Sequence, residues 1–182
     1  KLEFTLTQDQ IKTLEEINND LSSTNKMFRL LQGDVGSGKT IVSLLAAYNT
    51  VNSGFQVAFM APTEILARQH FNLAKKIFSN QINIELISGK SEYKIKNEIL
   101  KKLANNKIDI IFGTHAIFQK KVHFENLGLI IIDEQHKFGV NQRKRLSDKG
   151  GKNCDVLLMT ATPIPRTLTM TLYGDMDLSI IR

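Results

Sequence analysis

One stretch of the sequence combines glycines, a lysine and a hydroxyl residue at a spacing that suits phosphate binding. It runs Gly33-Asp34-Val35-Gly36-Ser37-Gly38-Lys39-Thr40, a glycine with four free positions, then glycine, lysine and threonine. Glycines let successive backbone N–H groups point inward at phosphate oxygens, in conformations that a side chain would forbid. The apolar segment before this stretch predicts a strand and the segment after it a helix. Strand, loop and helix together predict a nucleoside triphosphate site.

The residues of this loop have distinct expected roles. Gly33, Gly36 and Gly38 provide the backbone freedom, and Ser37 lies among them as a further nucleotide-contacting residue. Lys39 places a positive charge on the β- and γ-phosphates, and Thr40 offers its hydroxyl to Mg²⁺. The alternative is a glycine-rich turn that binds no ligand.

Two adjacent carboxylates form the second candidate element. Asp133 and Glu134 follow the apolar run 127–132, which predicts a buried strand. A carboxylate at the end of such a strand can hold the Mg²⁺ that Thr40 also touches, which is the role we expect for Asp133. Glu134 is suited to orient and polarise an attacking water. We therefore predict Lys39, Asp133 and Glu134 as catalytic residues, although acidic residues also occur in ordinary loops after strands.

The first helical pattern of the chain has two compatible interpretations. Thr7 is placed as the N-cap of a helix, with Gln10 at the capping-box position. The same region could also form an adenine pocket, because a glutamine amide can donate to and accept from an adenine edge. Phe4 could stack on the adenine ring.

The remaining elements indicate where these residues must lie. Apolar runs of strand length alternate with helical patterns along the whole chain, at 27–31, 55–61, 82–87, 108–112, 127–132 and 155–159. Such alternation predicts an α/β fold, a mostly parallel sheet with helices on both faces. Ligands of these sheets bind at the carboxyl ends of the strands. Polar segments fall at those ends, including Pro62-Thr63, Gly113-Thr114-His115 and Thr160-Ala161-Thr162.

Length, charge and cysteine content indicate what kind of protein this is. The chain has 182 residues, 42% of them hydrophobic, which suits one domain with a proper core. Its net charge of +6 favours polyanionic partners. The single Cys154 allows no disulfide framework and is expected to be a buried, reduced thiol. No apolar stretch approaches about 18 residues, so we expect a cytoplasmic protein with no membrane partner.

The histidines give no metal signal. The spacings of His70, His115, His123 and His136, together with Cys154, do not resemble those of a zinc site. His70 falls on a predicted helix and is expected to be a surface or half-buried residue.

The phosphate loop, Asp133-Glu134-Gln135-His136 and Thr160-Ala161-Thr162 together resemble the first motor domain of superfamily 2 helicases and translocases, a RecA-like fold. Longer segments are similar to the RecG family of ATP-dependent helicases, which remodel branched DNA. Those segments are 60–67, 113–116, 133–140 and 159–168, and the likeness runs from Phe4 to Ile181. The translocase module of transcription-repair coupling factors is the nearest alternative, and Gln135 and Ser37 favour the RecG family over it.

The resemblance implies a role for each motif. Lys39 and Thr40 would act on the phosphates and Mg²⁺, Asp133 and Glu134 on the metal and the water, and Gln10 on the adenine of ATP. A coupling role would fall to His136, Thr160 and Thr162, which would link the state of the γ-phosphate to DNA binding. Five residues would touch the DNA backbone: Pro62, Thr63, Gly113, Thr114 and His115. As alternatives, these five could be ordinary helix caps and turns.

The resemblance also implies partners beyond this domain. Residues 1–182 are expected to be one helicase ATP-binding domain from a longer, monomeric protein, without its wedge domain and second motor domain. Because the second motor domain supplies an arginine to the transferring phosphoryl group, the domain alone is expected to be nearly inactive. Two other functions stay open, a nucleotide-switched nucleic-acid-binding module without turnover and a metabolic kinase. The kinase has less support because it leaves Thr160-Ala161-Thr162 and Pro62-Thr63 without a role.

Overall fold

The computed structural model describes residues 5–89, 91–133, 154–163 and 176–182. Four α-helices, a short 3-10 helix and seven strands are present in these residues. The helices are α1 (Gln8–Leu21), α2 (Lys39–Asn52), α3 (Glu64–Phe78), α4 (Tyr93–Ala104) and the 3-10 helix His115–Phe118. The strands are β1 (Phe28–Gly33), β2 (Gln56–Met60), β3 (Ile84–Ile87), β4 (Ile110–Gly113), β5 (Leu127–Ile132), β6 (Asp155–Thr160) and β7 (Asp177–Ile181).

The seven strands form one sheet in the order β3-β4-β2-β5-β6-β1-β7. Each pairing between the described strands is parallel. The predicted α/β class with a mostly parallel sheet is therefore confirmed. Strand β7, beside β1 at one edge, was not predicted, and neither was the 3-10 helix after β4.

The central strands are buried on both faces, as apolar runs in parallel sheets require. Every residue of β2, β4 and β5 is buried. Along β5, successive side chains alternate between two cores, with Leu129 and Ile131 in one, Ile130 and Ile132 in the other. Period-two alternation of this kind follows from strand geometry. The sheet is thus the layer between two separate hydrophobic cores.

Helices cover both faces of the sheet, as predicted. Residues of α1, α2 and α3 belong to one core, including Ile17, Val42 and Phe78. Residues of α4 and the 3-10 helix belong to the other, including Leu103 and Ile117. In the part of the chain that the structure describes, no helix is long and apolar enough to cross a membrane.

A charged residue inside the sheet joins α1 to the edge formed by β1 and β7. Arg29 on β1 is only 8% exposed, and its Nε donates to Asp20 Oδ2 at 2.7 Å. Its Nη1 donates to Ser179 Oγ on β7 at 2.8 Å and lies 3.5 Å from Glu16 Oε2. Ser179 also donates to Glu16. Because a buried guanidinium needs such partners, this group specifies how α1 and β7 dock on β1.

The cysteine behaves as its apolar surroundings predict. Cys154, directly before β6, is a free thiol that is 1% exposed. Burial raises the pKa of this thiol to about 12. It is therefore a protonated core side chain at neutral pH.

Candidate active site

The order of the strands divides the carboxyl edge of the sheet into two halves. Because all strands are parallel, the segments after them emerge at this edge. The segments predicted to bind nucleotide follow β1 and β5, and the segment predicted to couple the γ-phosphate to DNA follows β6; these three strands are consecutive neighbours in the sheet. The segments predicted to contact DNA follow β2 and β4, which are also neighbours. The two halves meet between β2 and β5.

The predicted phosphate loop lies between a strand and a helix, as expected. Strand β1 ends at Gly33 and α2 begins at Lys39. Gly38 is the N-cap of α2 with φ 88°, and Gly36 has φ 85°, both in the left-handed region that favours glycine. A Cβ added to Gly33 would lie 2.5 Å from Ser37 Oγ and 2.8 Å from Ile181 O. These three glycines are therefore required by the conformation and packing of the loop.

The ammonium of Lys39 lies against the backbone of this loop. Its Nζ donates to Gly33 O at 2.5 Å and to Asp34 O at 2.7 Å. The positive charge is thereby held at the loop, next to the start of α2. Thr40 follows in the first turn of α2.

Ser37 has the one buried side-chain polar atom that lacks a hydrogen-bond partner in the described residues. Buried polar atoms are normally paired, so a lone one needs an explanation. A phosphate-bearing ligand in the loop would supply polar atoms. The glycine conformations, the Lys39 charge and this hydroxyl together fit a nucleotide.

Gln10 joins the first helix to the phosphate loop. Thr7 N donates to Gln10 Oε1 at 3.0 Å and Gln10 N donates to Thr7 Oγ1 at 3.2 Å, so the predicted capping box is confirmed. Gln10 Nε2 donates to Ser37 O at 2.9 Å. The helix-start interpretation therefore holds, and the contact with adenine stays a prediction. Phe4 lies outside the described residues.

Asp133 follows β5, as predicted, and is held by two hydrogen bonds. Its main-chain N donates to Met60 O at 2.9 Å, which joins it to the end of β2. Its Oδ2 lies 2.6 Å from His70 Nε2 on α3. Two other predicted residues, Glu134 and His136, lie outside the described residues.

The position of His70 corrects an expectation. We expected a surface or half-buried side chain, whereas His70 is buried at 8% exposure and pairs with Asp133. The burial was readable from the sequence, because His70 is three residues after Ala67 and four before Ala74, both buried on the same face of α3. Its partner was not, because Asp133 is 63 residues away.

The oxygen atoms of this half suit Mg²⁺. Thr40 and Asp133 offer a hydroxyl and a carboxylate, the oxygen ligands that Mg²⁺ takes beside nucleotide phosphates. Among residues 5–89, 91–133, 154–163 and 176–182, no three His, Cys, Asp or Glu side chains cluster as a protein-only metal site would require. Thr40 and Asp133 thus have the chemistry of Mg²⁺ ligands, and the metal itself stays a prediction.

Thr160-Ala161-Thr162 forms a turn at the end of β6, next to β1. Thr160, the last residue of β6, is 1% exposed and pairs with Gln32 of β1 in the sheet. Thr162 N donates to Thr160 Oγ1 at 3.1 Å, and Thr162 itself is exposed. Thr160 is thus buried next to the end of β1, where the phosphate loop begins, and Thr162 is exposed two residues later. Their predicted coupling role stays a prediction.

The segments predicted to contact DNA lie at the ends of β2 and β4. Ala61 N donates to Gly113 O at 2.9 Å, so these two strand ends are adjacent. Thr63 is the exposed N-cap of α3, and its Oγ1 accepts from Leu66 N at 3.3 Å. The predicted residues form a row at this edge: half-buried Pro62, exposed Thr63, buried Gly113, half-buried Thr114 and exposed His115. Their contact with DNA stays a prediction.

Glu64, which we did not predict as a functional residue, connects the start of α3 to the loop after β3. Glu64, the first residue of α3, accepts from Gly89 N at 2.5 Å and from Ser88 Oγ at 3.1 Å. Ser88 and Gly89 follow β3, the strand next to β4. The start of α3 is therefore fixed to the neighbouring loop.

Comparison with known proteins agrees with this geometry. The model of the DEAD/DEAH box helicase family matches residues 7–171. The chain is 54% identical over 180 residues to the ATP-dependent DNA helicase RecG of Streptococcus pneumoniae, covering 99% of this chain and 26% of that protein. It is 51% identical over 181 residues to RecG of Bacillus subtilis, with the same coverage of each chain. The chain thus spans about a quarter of the length of these relatives.

Solved structures give the same result. A structure of RecG bound to a three-way DNA junction matches the whole chain with a TM-score of 0.85 and 45% identity, over 24% of that chain. The helicase Mss116 bound to single-stranded RNA matches 98% of this chain, and 40% of its own, with a TM-score of 0.75 and 21% identity. The RecA-like fold and the similarity to RecG that the motifs predicted are therefore confirmed.

Proposed function

The chain belongs to the DEAD/DEAH box helicase family, and we propose that it is the ATP-binding first motor lobe of a longer RecG-type DNA helicase. That helicase would couple ATP hydrolysis to the remodelling of branched DNA in recombination and repair. One observation carries the proposal. The strand order places the phosphate loop, Thr160 and Asp133 on one half of the carboxyl edge, with Thr63 and Thr114 on the other half.

The nucleotide half would bind ATP through residues already near their working positions. Lys39 already lies over the loop and would exchange its carbonyl partners for the β- and γ-phosphates. The buried Ser37 hydroxyl would acquire a partner from the ligand. Gln10 would bind adenine while its bond to Ser37 O ties the base site to the phosphate site. Phe4 would stack on the base.

Thr40 and Asp133 would hold Mg²⁺ with the nucleotide. The ion neutralises charge that develops on the phosphates during phosphoryl transfer. Glu134, as the residue after Asp133, would orient the attacking water by accepting its proton. Lys39, Asp133 and Glu134 would then be the catalytic residues.

The other half would hold the DNA backbone without reading its sequence. Helix starts present free N–H groups, which suit phosphate oxygens, and Thr63 lies at such a start. Gly113, Thr114 and His115 lead into the 3-10 helix beside it, and Pro62 precedes Thr63. The net charge of +6 would attract the polyanion.

The rest of the proposal concerns the whole protein. His136, Thr160 and Thr162 would report the state of the γ-phosphate to the DNA-binding half. A second motor domain in the same polypeptide would complete the ATP site with an arginine. We propose a cytoplasmic monomer acting on forks and junctions.

The experiment uses the longer protein, with ATP hydrolysis measured alone, with linear duplex and with forked DNA. We expect hydrolysis to be accelerated by DNA, most strongly by forks. Lys39→Ala should abolish it, whereas Lys12→Ala, a lysine exposed on α1, should not change it. ATP binding without turnover in the presence of forked DNA would overturn the proposal and favour a nucleotide-switched binding module.

A further inference from the structure

The two halves of the carboxyl edge are joined by a side-chain contact that the proposed function does not use. Helix α3 begins after Thr63 in the DNA half, and His70 follows about two helical turns later. There it contacts Asp133, which follows β5 in the nucleotide half. One rigid helix therefore reaches from a candidate DNA contact to a candidate metal ligand.

The imidazole is firmly held. His70 is 8% exposed, and its ring packs on Phe59 with 4.9 Å between ring centroids. Phe59 stacks in turn on Phe112 at 5.2 Å, and both phenylalanines are fully buried. Because the ring rests on buried strand residues, it has little freedom to swing away from Asp133.

In the hydrogen bond between His70 and Asp133, the imidazole is the donor and the carboxylate is the acceptor. An ionised carboxylate only accepts, so the proton of the bond belongs to His70 Nε2. Asp133 Oδ2 is then engaged at 2.6 Å, and its main-chain N is fixed by Met60 O. The other carboxylate oxygen is left for a metal or a metal-bound water. This is the way in which protein side chains orient the ligands of metal sites.

We propose that His70 is a positioning residue for Asp133, and that through it α3 transmits the state of the DNA contacts to the metal-holding carboxylate. This inference rests on the proposed function, since it assumes Mg²⁺ at Asp133 and DNA at Thr63. Removing a residue that orients a metal ligand typically lowers metal affinity by about 10- to 100-fold. His70 itself touches neither nucleotide nor DNA in this proposal.

Two variants separate the hydrogen bond from the packing. His70→Gln keeps an N–H donor near the position of Nε2, whereas His70→Leu keeps an apolar contact with Phe59 and has no donor. His70→Met serves the same purpose if the leucine variant does not fold. Gln69→Leu, at an exposed neighbouring position of α3, is the matched control.

The first measurement is binding of a fluorescent ADP to the longer protein across a Mg²⁺ titration. We expect His70→Leu to raise the Mg²⁺ concentration at half-saturation by about 10-fold or more, and His70→Gln to stay within about 3-fold of the parent. Equal shifts in both variants would show a packing role and overturn the proposal. An unchanged midpoint in His70→Leu would also overturn it.

The second measurement is ATP hydrolysis at saturating Mg²⁺, with and without forked DNA. If α3 transmits the DNA contact, His70→Leu loses most of the acceleration by DNA, measured as the ratio of the rate with forked DNA to the rate without it, whereas His70→Gln retains it. Full acceleration in this variant would overturn the transmission. A parent protein that DNA does not accelerate would instead refute the proposed function, so the two failures are distinguishable.

Discussion

The side-chain amide of Gln10 donates a hydrogen bond of 2.9 Å to the main-chain oxygen of Ser37 and so joins the start of α1 to the phosphate loop. The oxygen of the same amide accepts from Thr7 N at 3.0 Å. One side chain therefore caps a helix and supports the loop. Removing the Gln10 side chain should therefore weaken nucleotide binding and destabilise α1 together.

Gln10→Ala is expected to weaken both functions of the amide. Loss of the hydrogen bond from Thr7 N, one half of the capping box, should lower the free energy of unfolding by about 1 kcal/mol. Loss of the support to Ser37 should weaken nucleotide binding, which is measured with a fluorescent ADP. Gln8→Ala, at the exposed first residue of the same helix, is the control and should bind like the parent. Unchanged nucleotide affinity in Gln10→Ala would contradict the proposed link.

Gly38→Ala should damage the nucleotide site, whereas Gly54→Ala should only lower stability. Both glycines have φ 88°, so either alanine adds backbone strain of roughly 1–3 kcal/mol. A Cβ at Gly38 would also collide with Nε2 of Gln10, but at Gly54 it meets no atom within 4 Å. Thermal unfolding and nucleotide binding of both variants make the test. Equal loss of nucleotide affinity in both would show that the collision is irrelevant.

Arg29→Ala should be among the more destabilising changes at the edge formed by β1 and β7. It removes charged hydrogen bonds to Asp20 and Ser179 from a side chain that is 10% exposed. We expect a loss of about 2–4 kcal/mol in the free energy of unfolding, measured by denaturant titration.

The control for this prediction is a surface ion pair. Lys102 lies 2.9 Å from Glu98 on α4, with side chains 43% and 66% exposed. Lys102→Ala should leave the denaturation midpoint unchanged, because exposed pairs contribute little. A comparable loss in the two variants would contradict the importance assigned to burial.

Cys154 should be unreactive in the folded chain and should make stability fall at high pH. A thiol whose pKa is raised to about 12 by burial is almost never a thiolate at pH 8, so a thiol reagent should label it only after unfolding. In the unfolded chain the thiol ionises near pH ~8.5, so its contribution to stability is lost as pH rises from there toward the folded value. Cys154→Val should show a smaller loss between pH 8 and 10, as measured by chemical denaturation. Rapid labelling of the native chain would contradict its burial.

Local signals in the sequence were sufficient for most of the fold. The capping box of Thr7 and Gln10 depends on residues three apart, and it is present as predicted. The loop conformation at Gly36 and Gly38 likewise follows from the residues in the motif. Apolar runs such as 127–132 were long enough to predict buried strands, because parallel strands are covered on both faces.

Long-range partners explain what was missed. Strand β7 contains Asp177 and Ser179, which break its apolar pattern, and Ser179 is 2% exposed because it bonds to Arg29, 150 residues earlier. The pair of His70 and Asp133 depends in the same way on β2 and β5 being neighbours. Local sequence patterns do not predict the order of strands in a sheet. Neither strand β7 nor the pair of His70 and Asp133 could therefore be predicted from the sequence.

The most direct test of the motor account is steady-state ATP hydrolysis by this 182-residue chain and by a version extended through the next motor domain, each with and without forked DNA. If the next motor domain supplies an arginine to the phosphoryl group, as we propose, its loss should cost about 10³- to 10⁵-fold in rate, so the short chain should be nearly inactive. The extended protein should turn over ATP and be accelerated by the fork. Brisk hydrolysis by the short chain alone, indifferent to DNA, would mean that the site is complete in one domain and would contradict the two-lobe helicase.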